Sequence, residues 1–207
     1  MLKYGIMGGT FDPIHYGHLV IANEVMFEFS LNRIYFIPTG QPPHKSSDGI
    51  TSPEHRYMMT QLATMSHPCF DVSDYEVTKK GPSYTIETIR YLKKNYPDVE
   101  WYFIAGADTI LDLSTWKDPE ELFRICAFIA VNRPGYGKDL LDRQIHQAKQ
   151  KYGAEIHVVN APLLKISSTD IRFRLMTNKP IKYLLPETVE AYIRKNGLYN
   201  LAGGVDG

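Results

Sequence analysis

With 207 residues, 43% of them hydrophobic, the chain is long enough for one domain with a sizeable core, expected over residues 1–200 and followed by a flexible tail at 201–207. Its 23 basic residues balance 23 acidic ones, which excludes a global field that would draw it to nucleic acid or to an anionic membrane. Cys69 and Cys126 read as buried free thiols of a reducing compartment; without a bilayer-length apolar run or a secretory signal pattern in residues 1–20, the chain is expected to be cytoplasmic.

The first predicted element is a strand, Leu2-Lys3-Tyr4-Gly5-Ile6-Met7. Downstream, Leu19, Val20, Ala22, Val25, Met26 and Phe29 recur at helical spacing. Residues 5–18 therefore turn from strand into helix through a glycine-rich stretch. Gly8 and Gly9 carry no Cβ, so a ligand can come close to the backbone. Free N–H groups and the positive end of the helix dipole make such a turn a phosphate cradle. His15 and His18 add donors that are neutral or cationic near pH 7. Taken alone, a Gly-Gly turn also serves plain packing, and a His-x-x-His pair can be half a metal site, although no Cys or acidic cluster nearby completes one.

Arg33-Ile34-Tyr35-Phe36-Ile37-Pro38 predicts a second strand, parallel to the first across a helical crossover. The loop at 39–49 carries Lys45 near its tip, past a strand's C-terminal end, where open α/β sheets bind ligands. Ser52-Pro53-Glu54 starts a helix, with serine as cap and proline at its first position; Met58, Met59, Leu62 and Met65 form its apolar stripe. Residues 71–77 alternate and predict a strand. Residues 81–88 turn into a helix with Ile86, Ile89 and Leu92 inward, for which Ser83 or Thr85 would by local chemistry be the cap.

Trp101-Tyr102-Phe103-Ile104-Ala105 is nearly continuous apolar sequence, as in a strand buried on both faces. It ends in Gly106-Ala107-Asp108, whose carboxylate could bind a ribose or cap a helix. A polar linker at 111–119 holds Trp116, a ring that packs or stacks on a base or pyridine. Residues 125–131 predict a strand that stops before Arg133, residues 138–152 a polar amphipathic helix, and residues 156–159 a last short strand. Lys165-Ile166-Ser167-Ser168-Thr169-Asp170-Ile171-Arg172 gives a second helix start rich in donors, with Arg172 one turn in. A terminal helix over 185–193 is stopped by Gly197. Charge is unevenly spread: residues 98–124 carry seven acidic and two basic side chains, residues 138–197 eleven basic and six acidic. The C-terminal third can thus supply cations to a phosphate-bearing substrate, or it is simply a solvated face.

The string Gly-Gly-Thr-Phe-Asp-Pro-Ile-His-Tyr-Gly-His at 8–18 resembles the signature of the His-x-Gly-His nucleotidyltransferases. Together with Pro42-Pro43-His44-Lys45, Ser83–Thr88, Gly106-Ala107-Asp108, Arg133-Pro134-Gly135 and Ile166–Arg172, it makes most of the chain similar to the bacterial nicotinate mononucleotide adenylyltransferases. The resemblance implies an α/β fold, a Rossmann-like parallel sheet with flanking helices and a small C-terminal helical piece. It implies transfer of AMP from ATP to nicotinate mononucleotide by direct attack, with Mg²⁺ brought by the ATP and no metal held by the protein. His15, His18, Lys45 and Arg172 would be catalytic. Gly8, Gly9, Thr10, Phe11, Gly106, Asp108, Arg133, Ile166, Ser167, Ser168 and Thr169 would join the two histidines and Arg172 around ATP. Thr10, Lys45, Ser83, Tyr84, Thr85 and Trp116 would hold the acceptor. Lys117 stands where the family pattern leads one to expect an aromatic. A homodimer or higher homo-oligomer fits this reading. The alternatives are an adenylyltransferase for nicotinamide mononucleotide or phosphopantetheine, and a nucleotide-sensing module without turnover.

Overall fold

The computed structural model describes residues 1–42, 49–111, 115–132, 138–162 and 164–199, with the backbone alone at 108, 111 and 138–140. Strands β1 (Leu2–Gly9), β2 (Arg33–Pro38), β3 (Phe70–Val72), β4 (Val99–Gly106), β5 (Ala127–Asn132) and β6 (Ile156–Asn160) form one sheet in the order β3-β2-β1-β4-β5-β6. Every neighbouring pair is parallel, so each connection must cross over, and helices do this. The crossovers are α1 (Tyr16–Glu28), α2 (Pro53–Thr64), α3 (Tyr75–Thr78) with α4 (Thr85–Asn95), α5 (Ala107–Leu111) with α6 (Pro119–Ile125), and α7 (Lys138–Tyr152). Helices α8 (Ser168–Met176) and α9 (Glu187–Lys195) follow β6. The expected Rossmann-like sheet is therefore present. Its direction of growth reverses between β1 and β4, which opens a crevice at their C-terminal ends.

The period of two along each strand sorts side chains onto two cores. Tyr102, Ile104, Ile129 and Val131 pack with Ala22 and Val25 of α1, Met59 of α2, Ile171 of α8 and Val189 of α9. Trp101, Phe103, Phe128 and Ala130 pack with Ile86 and Ile89 of α4, Leu122 and Phe123 of α6 and Leu141 of α7. Burial on both faces is why residues 101–105 carry no polar alternation.

Helices α1, α8 and α9 end alike. In each, the residue after the cap takes positive φ: Ser30 at 52°, Asn178 at 54°, Gly197 at 60°. The next N–H returns to the carbonyl five residues back: Leu31 to Met26, Lys179 to Arg174, Leu198 to Ile193. These are Schellman motifs. The glycine stop expected at 197 is one of them.

Some expectations are corrected. The strand expected over 71–77 is short: β3 ends at Val72, Ser73 N–H donates to Phe36 O, and Thr78 N–H turns back to Asp74 O to close α3. Its pairing with β2 stops at Val72 opposite Phe36, while β2 itself runs on to Pro38; the chain leaves the sheet there because residues 74–78 wind into α3. The strand expected from Ile125 begins at Ala127, because Ile125 closes α6 with Cys126 as its cap. The linker at 111–119 contains that helix's start, Asp118 followed by Pro119. The turn at 106–108 is the end of β4 running straight into α5. Both cysteines are free, but Cys69 is only partly buried; burial pushes the Cys126 thiol up to about 12. Among the described residues, no helix is long and apolar enough to cross a membrane.

Candidate active site

A cavity of about 420 Å³ lies over the C-terminal ends of β1, β2, β4 and β5, with Gly8, Gly9, Thr10, Thr39, Gly106 and Val131 in its wall. An adjoining hollow of about 280 Å³ is lined by His15, Gly17, Ile166, Ser167, Ser168 and Thr169, among others. His18, Ile21 and Val131 belong to both walls. The imidazole of His18 therefore stands at the junction of the two hollows.

The start of α1 places it there. His15 is the N-cap and His18 the third helical residue, and each side chain faces the other's backbone N–H as in a capping box. His18 Nδ1 accepts from His15 N–H at 3.3 Å, so in the neutral ring the proton sits on Nε2, which is the donor nitrogen. The two rings stack with centroids 3.8 Å apart. Phe11 meets His18 edge-on at 5.1 Å and is itself buried. Its ring sits where a side chain at position 9 would be: a Cβ on Gly9 would lie 2.8 Å from Phe11 Cε1.

The loop between β1 and α1 is bolted from several sides. Arg56 of α2 is buried and donates to Thr51 O at 2.8 Å, Thr10 O at 2.7 Å and Gly40 O at 3.0 Å. Burial lowers its pKa, which the charge of Asp12 opposes. Asp12 is also buried; its Oδ1 accepts from Tyr199 O–H at 2.6 Å and its Oδ2 from Thr51 N–H at 3.4 Å. Arg172 Nη1 donates to Asp12 O at 2.6 Å, and Ser168 O–H to Pro13 O at 2.8 Å. The start of α8 is thus stitched to the loop that precedes α1, with its own cap formed by Ser167 accepting from Asp170 N–H.

The other wall is built by the loop after β2. Gln41 pairs with Pro82, and Ser83 N–H donates to Gln41 O at 2.9 Å, which brings Ser83, Tyr84 and Thr85 to the cavity. The cap of α4 is Tyr84, without a side-chain bond, so neither Ser83 nor Thr85 is the cap of that helix. Gly40 admits no side chain, since a Cβ would lie 2.0 Å from Glu76 O. Glu76 is buried in the same wall and accepts from Thr88 Oγ1 at 2.6 Å. Burial raises its pKa against the pull of Thr88 and Ser83. Trp116 lines the cavity, held upright by an edge-on contact with Phe103 at 5.6 Å.

Most of the expected residues come together here. Gly8, Gly9, Thr10, His18, Ser83, Tyr84, Thr85, Gly106 and Trp116 line the larger cavity, and His15, His18, Ile166, Ser167, Ser168 and Thr169 the smaller. Phe11 and Arg172 line neither: the Phe11 ring is packed under His18, and the Arg172 guanidinium holds Asp12 O and approaches Thr169 Oγ1 at 3.5 Å. Asp108 is the second residue of α5; its side chain, Lys45 and Arg133 lie outside the described residues. Sequence reasoning gave no role to Asp12, Arg56, Glu76 or Tyr199, although a lone arginine amid the apolar stripe of α2 was a signal.

A doubly wound parallel sheet whose switch point carries a histidine-capped helix and a glycine turn defines the class, a nucleotide-binding α/β fold. Residues 6–174 match the family model described as cytidylyltransferase-like. A relative from Moorella thermoacetica named "Probable nicotinate-nucleotide adenylyltransferase" is 52% identical over 198 residues, covering 95% of this chain and 91% of its own. Another of that name, from a Thermoanaerobacter species, is 50% identical over 199 residues, covering 96% and 94%. The chain belongs to the cytidylyltransferase-like family and, within it, to the nicotinate-nucleotide adenylyltransferases. Among solved structures, Plasmodium falciparum nicotinic acid mononucleotide adenylyltransferase complexed with NaAD shares the fold, with a TM-score of 0.78 at 23% identity over 96% of this chain and 98% of that one.

Proposed function

We propose that this chain transfers AMP from ATP to nicotinate mononucleotide, giving deamido-NAD and pyrophosphate, within a reducing, cytoplasmic compartment that suits its free cysteines. The observation that carries this reading is His18 as the common wall of two hollows. One hollow offers hydroxyls and a helix start for a nucleotide. The other offers Tyr84 and Trp116 for a flat ring, with Ser83 and Thr85 beside them.

An oxygen of the mononucleotide phosphate attacks the α-phosphorus of ATP. The bond from that phosphorus to the bridging oxygen breaks, and pyrophosphate leaves with the electron pair. The nucleophile is already an anion, so the chain needs no covalent intermediate; its task is alignment and charge stabilisation. His18 Nε2–H donates to the phosphate chain beside the backbone of Gly8, Gly9 and Thr10, and His15 approaches from the side. Ser167, Ser168 and Thr169 hold the nucleotide from the start of α8, with Arg172 keeping that start against Asp12. In this reading Lys45 and Arg133 neutralise phosphate charge, and Asp108 accepts from ribose hydroxyls. Mg²⁺ carried by the ATP would offset phosphate charge when bound, and the loop's buried carboxylate, Asp12, is committed to Tyr199 and Thr51.

Pyrophosphate release with ATP and, in turn, nicotinate mononucleotide, nicotinamide mononucleotide and phosphopantetheine tests the assignment. Release with the nicotinate nucleotide, well above the others, is the expected result. No release with it overturns the reading, and equal use of the amide overturns the preference for the acid.

A further inference from the structure

The larger cavity carries a cation that the reaction above does not use. Lys117 lines it next to Trp116, Tyr84 and Thr85. Its ammonium lies 4.3 Å from the centre of the Tyr84 ring and 2.8 Å from Glu87 Oε1. The other oxygen of Glu87 is held by Lys79. One carboxylate thus faces two ammonium groups, and the cluster keeps a net positive charge. Hydrogen bonds from Lys117 and Lys79 hold Glu87 below the usual carboxylate range, and Glu87 in turn raises Lys117. An ammonium has three donors and Glu87 takes one; an exposed pair of this kind rearranges at little cost.

The rest of the wall suits an anionic group on a planar ligand. Ser83 Oγ is buried in it and makes no hydrogen bond of acceptable geometry, although the Glu76 carboxyl lies beside it. Glu76 is the opposing charge. It is nearly inaccessible, bonded by Thr88, and pushed by burial towards its neutral form, whereas Lys117 is half-exposed at the outer wall.

Resting on the function proposed above, we infer that Lys117 is a specificity-determining residue: its ammonium, tethered by Glu87 and lying on Tyr84, is a counter-charge for the carboxylate on the acceptor's ring and favours the acid over the amide. The alternative role for Lys117 is structural, pinning the segment around Trp116 to α4 through Glu87. The two roles differ in what Glu87 does. A counter-charge is strengthened when Glu87 is neutralised, whereas a structural pin is broken.

Steady-state transfer with saturating ATP, using nicotinate and nicotinamide mononucleotides in parallel, separates them. In Lys117→Gln the KM for the acid should rise roughly tenfold with kcat nearly unchanged, while the KM for the amide stays within about twofold, the pattern of one lost charge-assisted contact in binding. Lys117→Arg should restore the preference. Glu87→Gln should leave the KM for the acid unchanged or lower it. Equal effects of Lys117→Gln on both acceptors, or a Glu87→Gln variant that copies it, would overturn the inference. Wild-type protein that prefers the acid while Lys117→Gln keeps that preference removes this inference alone; wild-type protein that fails to use the acid removes the proposed function as well.

Discussion

His18 is the side chain whose geometry is most directly tied to chemistry. With Nδ1 occupied by the backbone of His15, its Nε2–H is a fixed donor, and a donor aimed at developing charge counts most in the transition state. His18→Ala should lower kcat by about two to three decades, the usual loss for one such donor, with a small change in KM for the mononucleotide. A variant near full activity would remove His18 from the mechanism. Glu76 gives a pH prediction. Its acid is raised above the ordinary glutamate value of 4.5 by burial, so between the unfolded and folded values the native state holds the extra proton. Stability from this group is present at low pH and lost as pH rises through that window. Glu76→Gln keeps an acceptor for Thr88 and should flatten the decline of Tm as pH rises above 4.5; an unchanged slope would show the carboxyl to be uncoupled from folding. His15 and His18 were legible in the sequence because helical spacing alone puts them at a helix start. Arg56 and Asp12 were not, because their partners lie as far as 46 and 187 residues away.

At the scale of elements, helix ends separate what sequence tells from what it hides. Gly197 is a stop signal by residue type, whereas Ser30 fills the same left-handed position after α1 without announcing it. A serine there carries a steric cost that glycine lacks. Ser30→Gly should therefore raise stability by about 0.5–1 kcal/mol, read as a higher Tm with transfer activity unchanged; a lower Tm would mean that the serine side chain makes a compensating contact. Helix α6 was hidden for a different reason. Asp118 and Pro119 are a start signal, but Asp118 sits at φ 50° inside a polar stretch whose apolar periodicity begins only at Leu122. Strand β3 is shorter than its pattern suggests because the alternation continues past Val72, where the chain leaves β2 opposite Phe36 and turns into α3.

Over the whole molecule, the parallel sheet was legible because each buried strand is an apolar run and each crossover carries its own amphipathic pattern. What pattern could not tell is how the crevice is closed. The loop at 10–18 is held by α2 through Arg56, by α8 through Ser168 and Arg172, and by the segment after α9 through Tyr199. Burial and the negative charge of Asp12 push the Tyr199 hydroxyl's pKa up, so it remains a donor. Tyr199→Phe leaves a buried carboxylate oxygen without its partner and should cost about 1–3 kcal/mol, visible as a lower denaturation midpoint and a raised KM for ATP. Wild-type values for both would relieve Tyr199 of any part in the loop.

Asp12 is translated 187 residues before the hydroxyl that holds it. During synthesis the chain can pair β1 with β2, and later with β4, while the phosphate cradle beside them still lacks its final bolt. Competence to handle nucleotide is then acquired late, only once Tyr199 has been added and can reach Asp12. A nascent chain arrested before Tyr199 would expose an unfinished cradle instead of a premature catalyst.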